Sequence, residues 1–270
     1  MKRSIIGIAF IVAFIISSTV HAQTLPASGL VSRYTFDTAN VNWTNTTSEI
    51  KDSVSSFNGD AVGLSSTNTL SLGRLNQGLT LSSNGFISLG QPAFSLAPTN
   101  VYTIMAWIRL PVGASGGTIF SRALADPTQQ QLNLAVVNGK LQATVGGTTN
   151  SSNINVANSQ WVHVALVSTG TNNTLYVNGV AKTSSSNGTA TAPGVDYLIG
   201  GRRDTTNAYT ASYFTGDIDD TSIYNRALTA SEIATAFAGT NLQTLTTIGG
   251  WNAYVHLPSD YTTTGTQKYP

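Results

Sequence analysis

Six aspartates fall into two groups: Asp37, Asp52 and Asp60 near the start of the chain, and Asp217, Asp219 and Asp220 in the run YFTGDIDDTSIY near its end. Carboxylates and backbone carbonyls are hard oxygen ligands and bind Ca2+ without help from His or Cys. That chemistry suits a chain with no cysteine and three histidines. Alternation along a strand puts Asp217 and Asp219 on one face and Asp220 on the other, so the three cannot all serve one ion. The plainer role for any of these acids is a solvated side chain or a turn cap.

Nucleophilic chemistry has one formal signature. GASGG, Gly113 to Gly117, matches Gly-x-Ser-x-Gly with Ser115 at its centre. A nucleophile elbow needs a strand before the serine and a helix directly after it. The residues that follow, TIFSRAL, are β-branched and aromatic and read as a strand, so the motif is a glycine-rich loop between strands. A base is lacking as well. His21 belongs to the N-terminal leader, His163 sits inside the apolar run WVHVALVS, and His256 has no catalytic place in its surroundings. No catalytic residue is assigned.

Ligand binding through surface contact has better candidates. Trp43, Tyr209 and Tyr213 stand in polar, loop-like surroundings, and Arg202, Arg203 and Asp204 follow the end of the apolar run YLIGG. Aromatic faces beside planar polar groups suit a sugar, and loops at one end of a sandwich are where such sites are built. Trp43, Arg202, Tyr209 and Tyr213 are therefore the candidate ligand-binding residues. Trp107 and Trp161 lie in apolar strands and read as core. Asn-x-Ser/Thr sequons, including those at Asn42, Asn45 and Asn187, arise readily by chance in this composition.

Short strands and turns must hold these residues in place. GLVSRYTF (29–36) is strand-like, and YTIMAWIRL (102–110) and WVHVALVS (161–168) are apolar enough to be central strands. In YTIMAWIRL, Tyr102, Ile104, Ala106 and Ile108 share one face. TLYVNGVAKT (174–183) is a hairpin whose Asn178-Gly179 pair suits a type I′ turn. LTLSSNGFISLG (79–90) reads as a second hairpin turning at Asn84-Gly85. LTASEIATAF (228–237) is the one helix, with Thr229 as N-cap, Glu232 completing a capping box, and Leu228 and Ile233 as a hydrophobic staple. Gly239 is placed to end it in a left-handed conformation, and the helix is expected to close one end of the sandwich. The fold class is all-β, a two-sheet antiparallel jelly-roll sandwich with one short C-terminal helix.

Composition narrows the function classes. Charged residues make up 9% of the chain and the formal net charge is +1, with no basic stripe of the kind a nucleic-acid binder shows. Hydrophobic residues are 41% of the chain and recur in strand-like runs, which favours a packed core over disorder. The first 22 residues carry Lys2 and Arg3, an apolar run from Ile5 to Ile16, and Val20 and Ala22 at a cleavage site. They read as a secretory signal peptide, which implies an extracellular or periplasmic protein with no membrane span after cleavage. A secreted domain without disulfides rests on its core, with or without a metal.

Three stretches together carry a resemblance: WVHVALVSTGTNNTLYVNGVAKT, then YLIGGRRD, then YFTGDIDDTSIYNRALTASEIATAF. They resemble the laminin-G-like, concanavalin A-like jelly-roll domains of secreted bacterial proteins. YTFD (34–37) and KDSVSSFNGDAVG (51–63) are similar to that family's opening strand and Asp-Ser-rich loop. The resemblance covers about residues 27–240, within a domain taken as 23–240, and implies a binding module, with glycans common among the ligands. It also implies that the first and last strands are neighbours and that a structural Ca2+ sits near them, with Asp52 and Asp219 as carboxylate ligands and Asp37 as a third. A separate run, AYVHLPSDYTTTGTQKYP (253–270), resembles the entry to secreted α/β-hydrolase esterases of the polyester-depolymerase type, so residues 241–270 are expected to be a linker and the truncated start of such a domain. The expected function is a secreted, non-catalytic, monomeric module that binds a glycan or insoluble polymer surface and tethers a downstream hydrolase. A complete adhesion or structural protein is the alternative.

Overall fold

The computed structural model describes residues 25–239, apart from 71, 83, 93, 193, 205, 207 and 209–211, together with the backbone of two further strands at Thr244–Ile248 and Trp251–Val255. The leader at 1–22 and the hydrolase-like residues from His256 onward lie outside the described residues, as does Tyr209. In chain order the strands are β1 (Leu30–Tyr34), β2 (Asp60–Val62), β3 (Thr69–Leu70), β4 (Gly78–Leu81), β5 (Phe86–Ser88), β6 (Val101–Arg109), β7 (Gly116–Ala123) and β8 (Gln130–Val137). Then come β9 (Lys140–Val145), β10 (Thr148–Asn155), β11 (Val162–Thr169), β12 (Asn172–Val177), β13 (Val180–Ser186), β14 (Leu198–Ile199), β15 (Gly216–Tyr224) and the helix α1 (Ala230–Ala238). The last two strands, β16 (Thr244–Ile248) and β17 (Trp251–Val255), pair only with each other.

One sheet has the order β13-β12-β11-β6-β15-β4-β3, with β1 also paired to β15; the other runs β10-β9-β8-β7-β14-β5-β2. Every pairing between these strands is antiparallel. This is the expected jelly-roll sandwich, and the first and last of its strands, β1 and β15, are neighbours. The core between the sheets is built by alternation. Tyr102, Ile104, Ala106 and Ile108 of β6, and Val162, Val164 and Leu166 of β11, face Leu132, Leu134 and Val136 of β8 and Leu141, Ala143 and Val145 of β9.

Strand β15 carries a bulge that alternation alone does not foresee. Ile218 pairs with Ile108 and Ile223 with Ile104, so five steps on β15 oppose four on β6. Both isoleucines reach the core only because one extra residue is inserted between them. Asp220 lies in that insertion with φ of 45°, in the left-handed region. Asp217 and Asp219 flank Ile218 and project from the outer face, as the pattern predicts.

Three local expectations are corrected. Asn84 does turn with positive φ, but β4 and β5 on either side join different sheets, so 79–90 is a corner rather than a hairpin. Leu79 and Leu81 on one side and Ile87 on the other all enter the same core, which forces the chain to cross from sheet to sheet. The helix covers a face rather than an end. Leu228, Ile233 and Ala236 pack on Met105, Ala165, Val167, Tyr176 and Tyr224, which form the outer surface of the eight-stranded sheet. Full burial of a Leu or Ile side chain stabilises by about 1.5–3 kcal/mol, so the Leu228–Ile233 staple is a substantial anchor. The capping box is present, with Glu232 N–H donating to Thr229 Oγ1 at 3.2 Å and Thr229 N–H to Glu232 Oε2 at 2.8 Å. Gly239 ends the helix with φ of −62°, in the right-handed region, and donates to Thr235 O at 2.7 Å instead of turning left-handed.

Asn178 and Gly179 have φ of 50° and 77°, as a type I′ turn requires. A Cβ on Gly179 would also lie 3.1–3.2 Å from Phe237 and Ala234, so glycine lets the turn sit closely under α1. Among the described residues no helix is long and apolar enough to cross a membrane.

Candidate functional site

The aspartates take up three different tasks. Asp52 caps the loop after β1: its Oδ1 accepts from the N–H groups of Arg33 (3.0 Å) and Val54 (2.9 Å), and its Oδ2 from Ser55 Oγ at 2.5 Å. Asp219 reaches the loop before β4, where its Oδ2 accepts from the N–H groups of Arg74 (2.7 Å) and Leu75 (2.9 Å). Asp37 accepts from the Gln77 N–H at 3.1 Å. Burial, then the charges of Asp220 and Asp37, push the Asp219 carboxyl well above its ordinary range, against the pull of its two amide donors. Asp37 is thus near Asp219, while Asp52 belongs to a separate turn. A Ca2+ ion takes six to eight oxygens. N–H and O–H donors face Asp52, Asp37 and the Oδ2 of Asp219, while Asp219 Oδ1 is buried with no partner among the described residues. Among the described residues no three His, Cys, Asp or Glu side chains are grouped to hold a metal.

Asp219 also belongs to a dry row on the outer face of the eight-stranded sheet. It pairs in register with Trp107 of β6, which pairs with His163 of β11. Arg74 lies 4.4 Å above the Trp107 ring, and Phe237 of α1 stacks on both Trp107 and His163. Burial, with the Arg74 charge adding, holds the His163 imidazole down at about 3, so it is neutral at any physiological pH. His163 is packing, as its apolar strand implies. Ser115 stands immediately before β7 rather than before a helix, so the geometry of a nucleophile elbow is missing there.

The outer face of the seven-stranded sheet is different in kind. Since Leu132, Leu134 and Val136 and their β9 counterparts enter the core, the alternate residues Asn133, Ala135, Gln142 and Thr144 face outward. Registered pairs continue this into two rows across the sheet: Thr149–Thr144–Asn133–Ser121 and Ser151–Gln142–Ala135–Thr118. Seven of the eight are polar, and none is charged or large.

These rows end in an open cleft of about 290 Å³. Its floor is Gly117, Thr118, Asn133 and Ala135, and its wall is Ser212 and Tyr213. The wall is fixed by backbone pairing, with Thr118 N–H donating to Ser212 O at 2.8 Å. Gly117, with φ of 142°, has no Cβ to meet the Tyr213 carbonyl and Phe214 Cα, which is what lets the wall close on β7. Thr118 Oγ1 donates to Asn133 Oδ1 at 3.1 Å, which leaves the Asn133 NH2 without a partner among the described residues. The Tyr213 ring leans on Phe86, centroids 6.1 Å apart. Arg202 stands behind the wall, its Nη2 donating to Ser212 Oγ at 3.3 Å.

Two of the sequence candidates, Arg202 and Tyr213, thus come together at this cleft. Trp43 does not line it. It packs against the core, and its indole N–H donates to Thr69 Oγ1 at 2.9 Å. Thr118 and Asn133 were missed because only pairing between strands brings them beside Tyr213. The alternation in QLNLAV, with Gln131 and Asn133 set between apolar Leu132 and Leu134, was the available signal. A second hollow of about 420 Å³ lies among Asn40, Asn42, Asn45, Glu49, Lys51 and Asn58, where Asn42 and Asn45 bond each other.

Comparison with known proteins places this architecture. A family model described as "Concanavalin A-like lectin/glucanases superfamily" matches residues 81–234, more than half of the chain. No curated protein matches the sequence. Among solved structures, the binding domain of Paraclostridial Mosquitocidal Protein 1 superposes with a TM-score of 0.59 at 18% identity, over 82% of this chain and 55% of that one. Domain 4 of AbnA, an extracellular arabinanase from Geobacillus stearothermophilus, solved in complex with arabinotriose, gives 0.57 at 20% identity, over 77% of this chain and 97% of that domain. The botulinum neurotoxin serotype D binding domain gives 0.57 at 14% identity, over 80% and 53%. This chain therefore spans about half the length of the first and third. At these identities the likeness is one of fold.

Proposed function

The chain belongs to the concanavalin A-like lectin/glucanases superfamily, and we propose that it is a secreted, non-catalytic glycan-binding module whose site is the cleft between Asn133 and Tyr213. One observation carries this reading. The outer face of the seven-stranded sheet carries registered rows of hydroxyls and amides, and these lead into a cleft with an aromatic wall. Sugars present hydroxyls at their edges and C–H groups on their faces, so they need donors and acceptors on one side and a ring on another. Asn133 supplies an unfilled NH2 and Tyr213 the ring, while the buried Thr118 hydroxyl holds the Asn133 side chain in place. The arabinotriose complex of AbnA domain 4 supports a sugar ligand for this fold.

In this reading residues 1–22 export the protein. The module then tethers a hydrolase domain whose opening strand is the esterase-like run after Asn252. Attachment would raise the effective concentration of such a domain near an insoluble substrate. Retention on a panel of insoluble polysaccharides, compared with abiotic polyester films, tests the binding. Retention on a polysaccharide, lowered about tenfold or more by Asn133→Ala or Tyr213→Ala, is the expected result. No retention on any polysaccharide by the wild-type protein would overturn it.

A further inference from the structure

The described chain contains seven arginines, and six of them are provided for. Arg33, Arg109, Arg203 and Arg226 each form an ion pair with a carboxylate. Arg74 lies over Trp107 within reach of the Asp219 charge. Arg122 donates to Val195 O and Tyr197 Oη and lies over the Tyr197 ring. Among the described residues Arg202 alone of the seven has neither a carboxylate nor a ring. The one hydrogen bond of its side chain there is the 3.3 Å contact with Ser212 Oγ, and its Nε is buried with no partner among the described residues.

A guanidinium half withdrawn from water, with no anion among the described residues beside it, is available to an anion arriving from outside. The neighbouring carboxylates are committed elsewhere. Asp196 pairs with Arg203, and Asp204 accepts from Thr206 and Ala208 within its own turn. The cleft in front of Ser212 is lined by Ser, Thr, Asn, Gly, Ala, Val and Tyr and contains no acid to repel an anion. Burial lowers the affinity of Arg202 for its proton without removing the charge.

Resting on the glycan-binding reading above, we propose that the ligand is an acidic glycan, and that Arg202 takes its carboxylate or sulfate while Asn133 and Tyr213 hold the sugar. Ser212 then has a positioning role, since it lines the cleft and its Oγ accepts from the Arg202 guanidinium behind it. Arginine suits this task because its planar fork meets a carboxylate or sulfate through two parallel N–H bonds.

The test compares acidic polysaccharides with the same chains after neutralisation. Polygalacturonate, alginate and hyaluronan are run against their methyl-esterified forms, with dextran sulfate and dextran as the sulfate arm, for the wild type, Arg202→Gln and Arg202→Lys. Affinity for at least one acidic chain at least tenfold above its neutral form is expected, falling steeply with salt. Arg202→Gln should abolish that preference, and Arg202→Lys should keep part of it. The esterified and sulfate arms separate a carboxylate ligand from a sulfate one. Arg202→Gln should also melt no lower than wild type, which a purely structural arginine would not allow. Equal binding of neutral and acidic chains, or a preference indifferent to Arg202, would overturn the acidic ligand and leave glycan binding standing. Binding to no polysaccharide at all would overturn both.

Discussion

Arg33 on the first strand holds Asp220 on the last through two hydrogen bonds, 2.9 Å from Nε and 2.6 Å from Nη2. The pair closes the sheet where β1 meets the bulge in β15, and the Asp220 side chain is 2% exposed. Burial raises the Asp220 carboxyl to about 6, although Arg33 pulls it down. An acid whose proton is held more tightly in the folded state is favoured by low pH. Between about 4 and 6 the folded protein carries more of this proton than the unfolded chain, so the contribution of Asp220 to stability falls as pH rises through that window. Urea midpoints for wild type and Asp220→Asn should therefore differ in slope across pH 4–6, with the wild type losing stability relative to the variant. Parallel curves would sink the assignment.

The same pair predicts an asymmetric response to losing its cation. Arg33→Met strands a buried carboxylate, which costs about 3–5 kcal/mol when the acid is ionised. At pH 4, where Asp220 keeps its proton, the cost should shrink. Denaturation at pH 4 and pH 8 measures both, and an equal cost at the two would show that lost packing, not charge, is responsible.

Calcium gives a sharper contrast between sequence and structure. The resemblance puts Asp52 and Asp219 on one ion, whereas the fold puts backbone N–H donors against both. The melting temperature should therefore be the same with excess chelator as with added Ca2+. Asp219→Asn keeps an oxygen for the Arg74 and Leu75 amides and should cost less than Asp219→Ala, by about 1–3 kcal/mol. A fall on chelation, restored by Ca2+, would return these aspartates to a metal role.

What the sequence revealed was whatever is local. Thr229 and Glu232 cap α1 because a capping box needs only four consecutive residues. The inward set Tyr102, Ile104, Ala106 and Ile108 follows from strand geometry alone. The corner at Asn84 was misread because a turn signal reports backbone dihedrals, not which sheet the next strand joins. That choice was made by Leu79, Leu81 and Ile87 entering one core. Arg202 and Tyr213 stood out as loop residues, but Asn133 comes beside them only through the register of β7 with β8 and the pairing of Thr118 with Tyr213.

That convergence depends on one glycine. Gly117 sits at φ of 142°, and any Cβ there would strike the Tyr213 carbonyl and the Phe214 Cα. Gly117→Ala must either strain β7 or push the Ser212–Tyr213 wall away from Thr118 and Asn133. Strain of this kind costs about 1–3 kcal/mol, so the variant should stay folded with a lowered melting temperature. Displacing the wall separates the aromatic ring from the polar floor, so polysaccharide retention should fall by far more than stability does. Gly113→Ala is the control. Gly113 also has positive φ, 77°, but nothing lies within 4 Å of its Cβ position. Its variant should lose stability while binding as tightly as wild type. If both variants lose binding in proportion to their melting temperatures, the cleft is not where the ligand sits.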